Sequence, residues 1–122
     1  MQYVGFGQRQ NYINYINNNQ NISRLMDDII NLGGNIELKG LTDTENSKLI
    51  VLKKMIGSYV RDIKENQPDY HGIQINFNYL NDELNIEINL LLKDVTIEAS
   101  EAGHNIFFTL SDCFKKIYKK LE

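Results

Sequence analysis

The chain is poor in the residues that most quickly reveal a protein's chemistry. Among 122 residues there is no tryptophan, one proline and one cysteine. Cys113 has no partner for an internal disulfide, and no CxxC or clustered Cys/His spacing points to structural zinc. A reducing, cytoplasmic setting is expected. No stretch approaches the ~18 consecutive apolar residues of a spanning helix. The opening MQYVGFGQRQNYINYINNNQ lacks the basic start and apolar run of a secretion signal. No membrane segment is expected. No Gly-rich phosphate loop, GxGxxG or Walker pattern occurs, so neither a cofactor nor a small-molecule substrate is expected. An excess of positive charge is missing too. With a formal net charge of −3, a nucleic-acid partner has to be met by a local basic surface, because the overall field does not attract it.

What is present suffices for one domain with one core. Residues 1–19 are rich in Asn and Gln, with Tyr12, Ile13, Tyr15 and Ile16 embedded, a composition that fits either a disordered arm or a short docked strand. Over residues 22–32, Leu25, Met26, Ile29, Ile30 and Leu32 recur at helical spacing, and Gly33-Gly34 offers a helix stop. The spacing predicts a short amphipathic helix. Its stripe of Leu25, Met26, Ile29 and Ile30 is a candidate docking surface for a protein partner or for self-association. Residues 1–34 are thus expected to be an N-terminal helical extension.

Residues 35–122 carry a clear alternation of elements. In Asn35-Ile36-Glu37-Leu38-Lys39 the apolar residues alternate, as in a strand buried on one side. Thr42-Asp43-Thr44-Glu45 has the form of a capping box, predicting a helix from about Asp43 to about Asn66. Leu49, Leu52, Ile56, Tyr59, Val60 and Ile63 form its buried face, and Pro68 marks the exit loop. Three further strands are predicted, burying Ile73, Ile75, Phe77 and Tyr79, then Leu84, Ile86, Ile88 and Leu90, then Val95, Ile97 and Ala99. The breaks at Asn81-Asp82-Glu83 and Lys93-Asp94 are too short for parallel crossovers, so these strands should form an antiparallel meander. Asn105 suits the N-cap of a last helix whose stripe is Ile106, Leu110, Cys113, Phe114, Ile117 and Leu121. The expected fold is α+β, in the order β-α-β-β-β-α, with two helices packed on one face of a four-stranded sheet.

Two outward faces carry candidate chemistry. On the long helix, Lys53, Lys54, Arg61 and Lys64 share a flank away from the core stripe, and Gly57 leaves that flank sterically open. On the last helix, Lys115 and Lys119 stand opposite the stripe beside Phe108, with Lys116 and Lys120 on its side. Such cations fit an RNA phosphate surface, with Phe108 stacking on a base or packing on the N-terminal helix. A solvated lysine face is the competing explanation. Catalysis has little support. Glu87 and Glu98 fall on the polar sheet face, where exposed glutamates are ordinary, and His71 and His104 have no evident metal or nucleophile partner. Cys113 lies on a buried stripe, where a thiol is an inert small hydrophobe.

From Asn35 onward the chain resembles the ribosome hibernation-promoting factors, also called the ribosome-associated inhibitor A or sigma-54 modulation family. Asn105-Ile106-Phe107-Phe108-Thr109-Leu110 and Lys116-Ile117-Tyr118-Lys119-Lys120-Leu121 follow the pattern of the family's last helix. Val95-Thr96-Ile97-Glu98-Ala99-Ser100 looks like its final strand, and Ile36-Glu37-Leu38-Lys39-Gly40 like its opening strand. Residues 1–34 are an addition, and Leu41 stands where the family often has a basic residue. The resemblance implies a non-enzymatic dormancy factor. Such a factor occupies the decoding channel of the small ribosomal subunit and blocks translation by steric exclusion of mRNA and tRNA. Lys53, Lys54, Arg61, Lys64, Lys115, Lys116, Lys119 and Lys120 would then contact ribosomal RNA. Two alternatives stay open. One is a protein-interaction or regulatory module that works through the N-terminal extension. The other is a double-stranded-RNA-binding-like domain, which shares the order helix, three strands, helix.

Overall fold

A computed structural model describes residues 28–122. The alternation of apolar residues places five strands in one sheet, in the order β1(Ile29–Gly33), β2(Ile36–Lys39), β3(Tyr70–Leu80), β4(Glu83–Leu92) and β5(Thr96–Gly103). The helix α1(Asn46–Asn66) connects β2 to β3, and α2(Ile106–Leu121) follows β5. β2 and β3 are parallel, with Ile36 beside Ile73 and Leu38 beside Ile75. Every other neighbouring pair is antiparallel. Asn81 and Asp82 both take positive φ, 54° and 67°, as the two-residue turn between β3 and β4 requires.

The expected α+β architecture is present, but the sheet has five strands where four were predicted. The fifth comes from the segment predicted as helical. Ile29–Gly33 is an edge strand, antiparallel to β2, with Ile30 opposite Leu38. Gly33-Gly34, read above as a helix stop, forms with Asn35 a run of positive φ that turns the chain back. Ile30 and Leu32 lean on the core while Ile29 and Asn31 face out, the period of a strand. A few apolar residues satisfy either period; the hydrogen-bonding edge of β2 decides between them. Of the expected docking stripe, Ile29 and Ile30 are therefore strand residues, while Leu25 and Met26 lie outside the described residues, as do the expectations for residues 1–19.

There are three smaller differences. α1 begins at Asn46 with Glu45 as N-cap and no side-chain cap. The capping box does not form: Thr42 lies three residues before the N-cap, and its hydroxyl donates to the Asp28 carboxylate. Tyr79, the last residue but one of β3, is 61 % exposed, and Val95, which lies just before β5 and not in it, is 54 % exposed. Leu41, by contrast, is 2 % exposed and belongs to the core.

Both helices lie on the one apolar face of the sheet. Leu52, Ile56, Val60 and Ile63 of α1 and Ile106, Leu110, Cys113, Phe114 and Ile117 of α2 join Ile73, Ile75, Phe77, Ile86, Ile88 and Leu90 in a single buried cluster. Asn105 caps α2 as expected, its side chain accepting from the Phe107 and Phe108 N–H groups at 2.9 and 3.0 Å. Gly40 has φ 95°, and a Cβ there would come within 1.9 Å of the Phe77 carbonyl oxygen. Only glycine lets β2 leave the sheet so close to β3.

Candidate nucleic-acid interface

The two helices lie side by side through an aromatic seam. The Tyr59 ring stacks on Phe114 with centroids 4.3 Å apart, and Tyr118 meets Tyr59 edge-on at 6.0 Å. The Tyr59 hydroxyl donates to Ser111 Oγ at 3.0 Å, and the Tyr118 hydroxyl donates to the Tyr59 carbonyl at 3.2 Å. Burial, followed by the Asp62 charge, pushes the Tyr118 hydroxyl up to about 12. The seam fixes the rotation of each helix and therefore the direction of its cations.

With about 100° between successive residues, the seam at Tyr59 and the core stripe turn Lys54 and Arg61 outward from the helical layer. They put Lys53 and Lys64 on the flank of α1 away from α2. On α2, Lys115, Lys119 and Phe108 face outward. All of these side chains are exposed, Phe108 at 72 %. Phe108 does not contribute to the core.

The eight candidate cations are not equivalent. Lys116 donates to the Ser100 carbonyl at 2.9 Å and pairs with Glu101 at 3.4 Å, and Lys120 donates to the Glu98 carbonyl. These two lysines, one helical turn apart, reach around β5, which among the described residues has no strand on its outer side, and occupy two of its carbonyls. Lysines placed this way blunt an open sheet edge. Lys115 lies 3.9 Å from Asp112, an exposed pair of small energetic weight. Lys64 Nζ sits 5.6 Å from the centroid of the Tyr70 ring, whose hydroxyl donates to the Gly34 carbonyl at 2.8 Å. Among the described residues Lys53, Lys54, Arg61 and Lys119 enter no ion pair. The sequence sets Lys116 and Lys120 on the side of the stripe, apart from Lys115 and Lys119, but their tethering depends on where β5 lies beneath α2.

The opposite face of the sheet has a different character. Strand register sets Asn31, Glu37, Gln74, Asn89 and Glu98 in one row, and Lys39, Asn76, Glu87 and Ser100 in the next. Glu87 and Glu98 fall in adjacent rows, each directly opposite a neutral residue, Ser100 and Asn89 respectively. Carboxylates and amides thus dominate this face, while the helical layer presents cations outward. The chain's negative total conceals a polarised molecule.

Cys113 is fully buried, with Sγ 3.5 Å from the Ala99 carbonyl and 3.6 Å from that of Ile86. Burial, then the nearby Glu101 charge, pushes its thiol up to about 11, away from the thiolate a nucleophile needs. His71 and His104 are both exposed. Among the described residues no group of three His, Cys, Asp or Glu side chains could hold a metal ion. Nor is any helix there long and apolar enough to cross a membrane. Compared with known proteins, the chain matches no family model and no curated protein.

Proposed function

We propose that this chain is a ribosome-binding dormancy factor that occupies the decoding channel of the small subunit and silences translation by steric exclusion, without chemistry. The observation that carries the proposal is the polarity of the fold. Lys54, Arg61, Lys115 and Lys119 project from a helical layer whose other side is buried, and the open sheet face is acidic and amide-rich. A phosphate-lined channel attracts the first surface and repels the second. The strand-helix-strand order, with two helices on one face, also agrees with the arrangement the sequence resemblance implies.

Sucrose-gradient co-sedimentation with ribosomes of the source cell tests the proposal. The protein should travel with small-subunit and monosome fractions at low salt. Its absence from both overturns the proposal. Each phosphate neutralised should contribute roughly 0.7–0.9 to the slope of log affinity against log salt, and Lys54→Glu with Arg61→Glu should flatten that slope.

A further inference from the structure

Gly57 has no explanation within the described domain. It lies in the middle of α1, where glycine weakens a helix relative to alanine. Its φ is not in the left-handed region, and a Cβ built on it would meet nothing within 4 Å. Neither backbone conformation nor packing against the described residues calls for a missing side chain here.

The surroundings indicate what does. Gly57 floors a surface depression of about 360 Å³ together with Ile36 and Val60, with Arg61, Lys64 and Glu65 around it. Lys53 and Lys54, one turn before the glycine, extend the cationic border. Lys64 is steadied over the Tyr70 ring, so this cation is already positioned before any ligand arrives. A bare stretch of helix with cations on both sides suits an extended polyanion that must come close to the main chain.

We infer that α1 receives the sugar–phosphate backbone of an RNA strand directly against its own main chain at Gly57, with phosphates held by Lys53, Arg61 and Lys64. This rests on the ribosome-binding reading above and adds a point of contact to it. Ile36 and Val60 at its base are 8 % and 1 % exposed, so the depression is closed below, and the missing Cβ sets how closely the strand can approach. Glu65, the acidic member of the rim, restricts where along the helix a phosphate can sit.

The test uses the full chain with Gly57→Ala and Gly57→Leu, both of which place good helix formers at an uncrowded position. Thermal unfolding and ribosome co-sedimentation are measured for each. The expected result is opposite signs: Gly57→Ala raises Tm by about 4 °C while ribosome affinity falls several-fold, and Gly57→Leu weakens binding by about a hundredfold. Parent-like binding by Gly57→Leu overturns this inference and leaves the ribosome reading intact. A lower Tm for Gly57→Ala also overturns it, because the occupant of the depression would then belong to the chain itself. No co-sedimentation of the parent chain overturns both.

Discussion

The Tyr59 ring stacks on Phe114 at 4.3 Å while its hydroxyl reaches Ser111, so one side chain holds α1 to α2 by two separable interactions. Tyr59→Phe keeps the stack and removes the hydrogen bond, at an expected cost of about 0.5–1.5 kcal/mol. Tyr59→Leu removes both and should cost about 0.5–1.5 kcal/mol more. Urea unfolding separates the two variants. Equal midpoints would show that the stack contributes nothing.

Lys116 and Lys120 share the charge of Lys115 and Lys119 but do different work. Lys116→Gln with Lys120→Gln uncovers the Ser100 and Glu98 carbonyls on the outer strand and should produce concentration-dependent association, measured by sedimentation velocity. Lys115→Gln with Lys119→Gln changes the charge equally and leaves the edge covered. It should show no added association, but should weaken ribosome binding more than the first pair. Identical behaviour of the two double variants would refute this division of labour.

The buried centres of β3 and β4 should dominate stability. Ile75→Ala, Phe77→Ala and Ile86→Ala are each expected to cost about 2–5 kcal/mol by chemical denaturation. Tyr79→Ala, on the same strand as Ile75 and Phe77 but 61 % exposed, should change stability by no more than about 0.5 kcal/mol. A large loss at Tyr79 would mean that something covers it.

Alkaline pH should destabilise the fold through Cys113. Its thiol is raised from 9.0 to about 11 by burial and by Glu101, so the native state holds the proton more tightly than the unfolded chain does. Stability is therefore fully present below the unfolded value and is lost as pH rises through the native one. The fall should run from about pH 9 to 11, with Tyr118 extending it, since its value rises from 10.0 to about 12. Urea midpoints across this range should decline less steeply for Cys113→Ala than for the parent chain.

Much of this architecture is legible in the sequence because it depends on local periodicity. The alternation of Ile73, Ile75 and Phe77, the stripe from Ile106 to Ile117 and the Asn105 cap each state their own geometry within a few residues. What escapes is decided by distant neighbours. Ile29 to Gly33 is a strand because β2 offers it an edge, and Thr42 does not cap α1 because the chain turns between Leu41 and Thr44 and the helix starts only at Asn46. Lys116 and Lys120 stand apart from Lys115 and Lys119 by helical angle alone, but their partners emerge only when α2 is laid over β5. The cations of α1 were legible as a group, whereas their directions required the Tyr59 seam.

The parallel pairing of β2 with β3 carries a consequence in time. β2 is synthesised before the whole of α1, yet the strand it must lie beside comes only after that helix. β3, β4, β5 and α2 follow one another as neighbours in both sequence and space, so they can assemble from short-range contacts. The amino-terminal hairpin must wait for a long loop to close. Ile36 and Leu38, both buried at the end, therefore spend the early life of the chain without the surface that will cover them.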